Sequence, residues 1–252
     1  MKITLLIPMY NEAKTVKATL DEVTSYMKEI FSSDYEILFV NDGSSDGCER
    51  IVSEYGDPAV RLVSYSENRG KGCAIRTGVL EALGDVIFFT DCDLAYGTGV
   101  IREFYDVLSR DGGCDVAVGS RALHPEGYAG YTPLRRLVSR AYLVFLKLAG
   151  GLRLSDSQCG CKGFRADVAK RIFSYAEVDR FAFDFEAILI GQRLGASFAE
   201  IPVKVERHGE SKVHLIKDTL RMLRDLARMK KRIKSLHIED GCKENATKGE
   251  EK

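Results

Sequence analysis

The sequence predicts an α/β fold in which helices cover both faces of a doubly wound parallel sheet. Short, continuously apolar runs alternate with longer segments whose apolar residues recur at helical spacing. Such runs are typical of strands that are buried on both faces, and their alternation with helices is typical of βαβ units. Clusters of glycine, asparagine and aspartate follow the apolar runs, which indicates turns at the strand ends.

The first unit begins with the apolar run Ile3–Met9, which we predict to be a buried strand. Pro8 lies near its end, where a missing backbone N–H is tolerated. A helical pattern then extends from residue 10 to residue 30. Its apolar face contains Val16, Leu20, Val23 and Met27.

The same alternation continues to about residue 119. The further predicted strands are residues 36–40, 60–65, 86–90 and 115–119. The further predicted helices are residues 48–55, a helix that ends at residue 83, and residues 100–108. In a sheet of this kind, ligands bind beyond the carboxyl ends of the strands. We therefore expect the polar clusters at those ends to converge on one crevice.

Composition restricts the classes of protein to which the chain can belong. Its 252 residues, 45% of them hydrophobic and 29% charged, are sufficient for a globular protein with a substantial core. The 37 basic residues balance the 37 acidic ones, so no overall field favours nucleic acid as a partner. Seven irregularly spaced cysteines without a signal peptide are expected in a reducing compartment. No apolar run approaches the roughly 20 residues of a transmembrane helix.

Two carboxylates one residue apart, Asp91 and Asp93, follow the apolar run at residues 86–90. On an extended backbone, side chains two positions apart share a face, so both carboxylates are expected to point the same way. Hard oxygen ligands at the end of a strand can hold Mg²⁺ or Mn²⁺ against phosphates. A solvated acidic loop is the alternative for a lone Asp-x-Asp. The chain has no G-x-G-x-x-G after its first strand and no P-loop motif. These absences exclude the usual dinucleotide-binding site and the usual P-loop nucleotide site.

Four strand-end motifs occur in a specific order and spacing. They are Pro8-Met9-Tyr10-Asn11-Glu12, Asn41-Asp42-Gly43-Ser44-Ser45-Asp46, Asn68-Arg69-Gly70-Lys71-Gly72 and Asp91-Cys92-Asp93. Together they resemble the inverting GT-A glycosyltransferases of family 2, over roughly residues 1–215. The resemblance implies the GT-A fold, a Rossmann-like, mostly parallel sheet flanked by helices. Later motifs are similar to the branch that transfers a hexose to a polyprenyl phosphate, and Ser157-Gln158-Cys159-Gly160 resembles its glucosyl members more than its mannosyl members.

The resemblance implies a nucleotide site at the ends of the first strands. Asp42 is expected to recognise the base, because its carboxylate can accept from a ring N–H. The other expected nucleotide-binding residues are Pro8, Tyr10, Glu12, Lys71 and Asp91. Glu12 is also compatible with an acid in the first turn of a helix, where the helix dipole favours it.

The resemblance also implies a divalent cation, Mg²⁺ or Mn²⁺. Asp93 is expected to be its principal ligand, with Asp91 as a partner that touches the ribose or reaches the metal through water. Mannose synthases of the family carry a Gln two residues after the second Asp, where this chain has Ala95. Phosphates and water therefore have to complete the metal shell, and we expect the cation to be held mainly when the diphosphate is present.

The remaining site residues also follow from the resemblance. Arg121 and Arg207 are expected to neutralise the diphosphate. Asp184 and Glu186 match the position at which family members that act on hydroxyl acceptors keep a general base. Because a phosphate monoester is already largely ionised near neutral pH, we expect Asp184 instead to position the sugar or to support positive charge at the anomeric centre. Residues 158–164 are expected to support the sugar pocket.

The acceptor phosphate is expected to bind Arg135 and Ser139. These two residues are four apart, hence on one face of a helix, and resemble the acceptor-phosphate clamp of the mannose synthases. Arg136 is the alternative to Arg135, since the preceding insertion makes the alignment loose.

Two basic amphipathic segments are candidates for attachment to a membrane surface. Residues 134–148 and the residues from 215 onward combine an apolar stripe with many lysines and arginines. Helices of this kind lie in the interfacial plane of anionic membranes, and an ordinary helix packed on the domain is the alternative. We expect a catalytic domain in residues 1–212, a membrane-surface helix in residues 213–236 and a disordered tail in residues 237–252. The protein is then peripheral and monotopic, at the cytoplasmic face of a membrane.

These features together predict a metal-dependent, inverting hexosyltransferase. It is expected to move glucose from UDP-glucose to dolichyl phosphate or another polyprenyl phosphate by a single in-line displacement. GDP-mannose is the alternative donor. Two further functions are compatible with the same motifs: a family 2 transferase that acts on a hydroxyl acceptor, with a base at Asp184, and a nucleotide-sugar-binding regulator without turnover.

Overall fold

The computed structural model describes residues 1–131, 143–144, 146–147, 151–180, 182–207 and 228–236. The strands are β1 (Ile3–Met9), β2 (Tyr35–Asp42), β3 (Val60–Tyr65), β4 (Val86–Phe89), β5 (Val116–Ser120), β6 (Lys162–Arg165) and β7 (Phe198–Pro202). The helices are α1 (Val16–Phe31), α2 (Cys48–Ser53), α3 (Lys71–Glu81), α4 (Val100–Ser109), α5 (Ala166–Tyr175) and α6 (Phe183–Arg193). Residues 228–235 are helical as well.

The strands form one seven-stranded sheet in the order β3-β2-β1-β4-β6-β5-β7. Strands β1 to β4 pair in parallel, and β5 pairs in parallel with β7. Strand β6 is inserted between β4 and β5 and runs antiparallel to both. The predicted α/β class with a mostly parallel sheet is therefore confirmed, although β6 and β7 were not among the predicted elements.

The predicted bounds agree fully for β1, residues 3–9, and for β3, residues 60–65. Helix α1 begins at Val16 rather than near residue 10, because the preceding residues form a loop that contacts the turn after β2. Asn11 in this loop adopts a φ of 52°, which ends the strand geometry of β1. Strand β4 ends at Phe89, one residue earlier than predicted.

Apolar side chains cover both faces of the sheet, as a doubly wound fold requires. Alternate residues of the central strands point to opposite faces. Leu6 and Phe89 belong to a core cluster that also contains residues of α3, α5 and α6. Leu5 and Phe88 belong to a second cluster, which contains residues of α1 and α4. The carboxyl ends of the neighbouring strands β1, β2 and β4 thus lie side by side at one edge of a buried sheet.

The predicted membrane-surface segments fall largely outside the described residues, as do Arg135 and Ser139. Of the expected helix at residues 213–236, the structure describes residues 228–236, where Met229 and Ile233 pack into the first core cluster. The predicted tail at residues 237–252 is also outside the described part. None of the helices in the described ranges has both the length and the apolar character that are needed to cross a bilayer.

Candidate active site

Hydrogen bonds join the loop after β1 to the turn after β2. The amide oxygen of Asn11 accepts from the backbone N–H of Ser45 at 2.9 Å, and the Asn11 N–H donates to Oγ of Ser44 at 3.0 Å. Asp46 accepts from the N–H of Ala13 at 2.7 Å. These contacts hold the Pro8 to Glu12 motif and the Asn41 to Asp46 motif together at the sheet edge, as the convergence argument predicted.

Asp42, at the end of β2, is almost fully buried and binds the segment that precedes α3. Its carboxylate accepts from the backbone N–H groups of Arg69 and Gly70, each at 2.8 Å, and from Nδ2 of Asn68 at 2.9 Å. Gly70 has a φ of 112°, which a residue with a side chain rarely adopts. In this structure Asp42 therefore fixes the loop at residues 68–70, and base recognition by Asp42 stays a prediction.

The Asp91-Cys92-Asp93 segment is a turn rather than an extended strand. The N–H of Leu94 donates to the carbonyl oxygen of Asp91 at 3.0 Å, and Leu94 has a φ of 48°. Between the two carboxylates, Cys92 is buried, and its carbonyl oxygen accepts from Oγ1 of Thr19 on α1 at 2.6 Å. The expected strand alternation is thus replaced by a turn that is held against α1.

Lys71, the first residue of α3, supplies positive charge to the two carboxylates. Its Nζ lies 2.5 Å from Oδ1 of Asp91. Burial would lower the pKa of Lys71, but Asp91, Asp184 and Asp93 raise it, so that the ammonium stays charged. Burial and the adjacent Asp91 raise the pKa of Asp93, and Glu12 contributes in the same direction. The charges of Lys71, Asp91, Asp93, Glu12 and Asp184 are therefore close enough to interact.

Lys162 on β6 forms a buried ion pair with Asp184 in the first turn of α6. Nζ of Lys162 lies 2.5 Å from Oδ1 of Asp184 and donates to the carbonyl oxygen of Cys159 at 2.7 Å. Lys162 is 0% exposed and Asp184 7% exposed. Burial raises the pKa of Asp184, and Lys162 and Lys71 oppose this shift. Lys162 is among the residues 158–164 that were expected to support the sugar pocket, but its ion pair with Asp184 was not predicted. The available signal was a lysine between Cys161 and Gly163, in a segment of small residues.

Arg121, directly after β5, is held by Asp156. Nε and Nη2 of Arg121 donate to the two carboxylate oxygens of Asp156 at 2.7 and 3.0 Å, and Nη1 donates to the hydroxyl of Tyr131 at 3.0 Å. Burial would raise the pKa of Asp156, but Arg121 lowers it, so that the net shift is downward. Much of the charge of Arg121 is thus neutralised within the protein, and contact with a diphosphate stays a prediction.

Glu186 and Arg207 occupy different surroundings. Glu186 is fully buried beside helical residues 228–235, where Arg232 donates to its Oε1.

Arg207 lies close to the Asp91 to Asp93 turn. The backbone N–H groups of Glu206 and Arg207 donate to the carbonyl oxygen of Ala95 at 2.8 and 3.2 Å. The half-exposed guanidinium of Arg207 binds Glu22 and also interacts with the charge of Asp93. The structure thus brings Arg207 to the carboxylate pair and places Glu186 away from it.

The carboxylate pair fits a hard divalent cation. Asp91 and Asp93 are hard oxygen donors two positions apart, and the charges of both interact with that of Lys71. A Cβ on Gly160 would lie 2.3 Å from Oδ2 of Asp91, so only glycine at this position leaves room for that oxygen. No cluster of three or more ligand side chains is present in the described ranges. A cation at Asp91 and Asp93 would therefore take further ligands from phosphates and water.

Three buried polar atoms near the carboxylate pair find no hydrogen-bond partner within the described part of the chain. They are Oγ1 of Thr90, Oγ of Ser157 and Nε2 of Gln158. Thr90 directly precedes Asp91, and the segment that contains Ser157 and Gln158 leads to Gly160 beside Asp91. Buried polar groups are usually satisfied, so these atoms are candidates to bind a polar ligand.

Comparison with known proteins agrees with this geometry. The family model of glycosyl transferase family 2 matches residues 4–173. A dolichyl-phosphate beta-glucosyltransferase, ALG5C, of Trichomonas vaginalis is 34% identical over 240 residues, which cover 90% of this chain and 70% of the relative. The dolichyl-phosphate beta-glucosyltransferase of Homo sapiens is 33% identical over 246 residues, which cover 89% of this chain and 74% of the relative.

Solved structures show the same fold. Glucosyl-3-phosphoglycerate synthase from Mycobacterium tuberculosis in complex with UDP aligns with a TM-score of 0.66 at 19% identity, over 92% of this chain and 80% of that one. The same enzyme in complex with Mn²⁺, UDP and glucosyl-3-phosphoglycerate aligns with a TM-score of 0.65 at 18% identity, over the same shares of both chains. The predicted GT-A fold is thereby confirmed. Because the family model spans more than half of the chain, this protein belongs to glycosyl transferase family 2 and is a glycosyltransferase.

Proposed function

We propose that the protein transfers glucose from UDP-glucose to dolichyl phosphate or another polyprenyl phosphate, with inversion at the anomeric carbon. The relatives named for this reaction share about a third of their aligned residues with this chain. The observation that carries the proposal is the group of interacting charges formed by Asp91, Asp93, Lys71 and Asp184 at the carboxyl edge of the sheet. This edge is where open α/β sheets bind ligands.

In this proposal the donor nucleotide binds against the loops after β1 and β2, which hydrogen bonds hold together. Pro8, Tyr10 and Glu12 would frame the base and ribose, with Asp42 beside them holding the loop at residues 68–70. A bound Mg²⁺ or Mn²⁺, held by Asp93 and Asp91, would neutralise negative charge on the diphosphate. The solved relative with Mn²⁺ and UDP supports this assignment at the level of fold.

The hexose lies next to the diphosphate in this proposal, and we assign to its hydroxyl groups the segment that contains the unpartnered polar atoms of Ser157 and Gln158. Asp184 faces the same region and interacts with the charges of Lys71 and Asp91. Its Oδ1 lies 2.5 Å from Nζ of Lys162, whose positive charge favours the ionised form of the carboxylate. A carboxylate so placed can support positive charge at the anomeric centre without removing a proton from the acceptor.

The acceptor supplies its own nucleophile. A phosphate monoester oxygen attacks the anomeric carbon from the side opposite the diphosphate, the new C–O bond forms as the bond to the diphosphate breaks, and the configuration inverts. Arg207, with its half-exposed guanidinium, is the cation of this chain that we assign to the leaving diphosphate. Arg135 and Ser139 are assigned to the acceptor phosphate from sequence, and basic amphipathic segments to the cytoplasmic face of the membrane.

One assay tests the donor and the acceptor together. Radiolabelled UDP-glucose and GDP-mannose are offered separately with polyprenyl phosphate and Mn²⁺, and product is counted in the organic phase. We expect product from UDP-glucose, and product from GDP-mannose alone would overturn the choice of donor. Asp184→Asn is the matched variant: an acidic limb that is present in the pH–rate profile of the unaltered enzyme and absent from the residual turnover of the variant would show that transfer needs the ionised carboxylate of Asp184.

A further inference from the structure

The helical residues 228–235 present two different faces. Met229 and Ile233 on the inner face are buried in the first core cluster, and Arg232, between them on the same side of the helix, is largely covered. The exposed residues of the same helix include the basic Arg228, Lys231 and Lys234. This helix is therefore docked on the catalytic domain through the inner face.

Arg232 joins the helix to the first turn of α6, which also carries Asp184. Its Nη2 donates to Oε1 of the fully buried Glu186. Its Nη1 donates to the carbonyl oxygen of Tyr175 at 2.7 Å and lies 3.2 Å from Oε1 of Glu177. A guanidinium can donate to several acceptors at once because its N–H groups form a rigid, planar fork.

Glu186 connects Arg232 to the loop between α5 and α6. Its second oxygen, Oε2, accepts from the backbone N–H groups of Glu177 and Val178 at 3.0 and 2.8 Å. Both carboxylate oxygens are thus engaged, one by Arg232 and one by the loop. Residues 176–180, which lie between α5 and α6, are referred to as the 176–180 loop.

The 176–180 loop packs against the start of α3. The carbonyl oxygen of Asp179 accepts from the N–H of Cys73 at 3.1 Å, and its carboxylate accepts from Nη2 of Arg76 at 2.5 Å. A Cβ on Gly72 would lie 2.3 Å from the carbonyl oxygen of Val178. The backbones of the loop and of α3 are therefore in direct contact.

The start of α3 belongs to the candidate donor site. Lys71 pairs with Asp91, and the N–H of Gly70 donates to the carboxylate of Asp42. A continuous series of hydrogen bonds and close contacts therefore runs from Arg232 through Glu186 and the 176–180 loop to these residues. Displacement of the loop would alter the placement of Lys71 and of residues 68–70.

We propose that Arg232 is a positioning residue for the nucleotide-sugar site, which acts through Glu186 and the 176–180 loop on the start of α3. In this role Glu186 holds the loop, and it does not touch the reacting atoms. The inference rests on the proposed function, because it takes the ligand at Asp42 and Lys71 to be a nucleotide diphosphate. If Arg232 has this role, donor affinity also depends on the packing of helical residues 228–235 against the catalytic domain.

The test compares Arg232→Gln with Arg228→Gln in the full chain. Both variants remove one positive charge from the same helix, but only Arg232 touches Glu186. UDP binding is measured by calorimetry with Mn²⁺ and without lipid, and donor and acceptor kinetics are measured in parallel. For Arg232→Gln we expect Kd for UDP and KM for the donor to rise together by about 2- to 30-fold, the range for mutations within a coupling network. For Arg228→Gln we expect both values to be unchanged, and for Arg232→Lys we expect partial recovery.

Three results would overturn the inference. Unchanged UDP affinity in Arg232→Gln is the first, and a lower kcat at constant donor KM, which indicates a smaller folded fraction only, is the second. If Arg232→Gln does not fold, Glu186→Gln carries the test, and unchanged UDP affinity in that variant would count in the same way. Failure of the unaltered protein to bind UDP would contradict the proposed function itself, which separates the two claims.

Discussion

Lys162 and Asp184 form an ion pair at 2.5 Å, with the lysine fully enclosed and the aspartate 7% exposed. The two residues come from β6 and from the first turn of α6, and the pair lies beside the Lys71 and Asp91 pair. Charges of alternating sign therefore extend from the carboxylate turn toward the helix that carries Asp184. Lys162 and Lys71 in this arrangement oppose the rise in the pKa of Asp184 that burial causes.

Lys162→Met is expected to destabilise the protein by about 3–5 kcal/mol, because it leaves a buried carboxylate without its counter-charge. It also removes a group that opposes the burial-raised pKa of Asp184, so that this pKa rises further. If turnover needs the carboxylate, the acidic limb of the kcat/KM profile moves to higher pH. Urea unfolding and pH-rate profiles measure the two effects.

The contribution of Asp184 to the free energy of unfolding also depends on pH. A carboxyl whose pKa is raised in the folded state contributes stability that is present at low pH and is lost as pH rises through that folded-state pKa. In Lys162→Met this loss is expected to be larger and to occur at higher pH. The Lys162→Met, Asp184→Asn double variant is the control, since it has no carboxylate to titrate. An unshifted acidic limb in the single variant would contradict the prediction.

Gly160→Ala is expected to lower turnover on the order of a hundredfold, because its Cβ would lie 2.3 Å from Oδ2 of Asp91 and would displace that carboxylate. Gly99→Ala is the matched control: a Cβ there has no neighbour within 4 Å, and the residue has a helical φ of −57°. The control is expected to retain activity. Equal activities in the two variants, measured at saturating donor, would show that the position of Asp91 does not matter for transfer.

Arg207→Ala is expected to change stability by less than about 1 kcal/mol, since its ion pair with Glu22 is partly exposed. It is expected to lower kcat by about 10²- to 10³-fold, because it removes a cation from the developing charge on the diphosphate. Glu22→Gln breaks the same ion pair but leaves the guanidinium in place, and we expect it to retain turnover. A similar loss of kcat in both variants would indicate that the ion pair itself is what transfer requires.

UDP and Mn²⁺ together are expected to raise the melting temperature by about 5–10 °C near a hundredfold excess over Kd. Either ligand alone is expected to give a small shift, since Asp91 and Asp93 supply only two carboxylates and the diphosphate is needed to complete the metal shell. Excess EDTA should reverse the shift and abolish transfer. Thermal scanning of the unaltered protein and of Asp93→Asn measures the shift in melting temperature. A large shift with Mn²⁺ alone would contradict the dependence on the diphosphate.

Local sequence was sufficient to predict the strands up to β5, because apolar periodicity and turn residues act over a few positions. It could not predict that β6 would enter between β4 and β5, since this short strand contains only one large apolar residue, Phe164, beside Lys162 and Gly163. It also misjudged Asp91 and Asp93 as part of an extended segment. The turn there depends on the contact between Cys92 and Thr19, which lie 73 positions apart in the chain.

By itself the sequence determined the α/β class, the family and the motifs at the strand ends, because these depend on residue type and short spacing. Only the tertiary structure decided the partners of the charged side chains. Lys162 and Asp184 are 22 positions apart, Arg121 and Asp156 are 35 apart, and Glu186 and Arg232 are 46 apart. A buried charge takes whatever counter-charge the topology brings within reach, and spacing along the chain does not specify it.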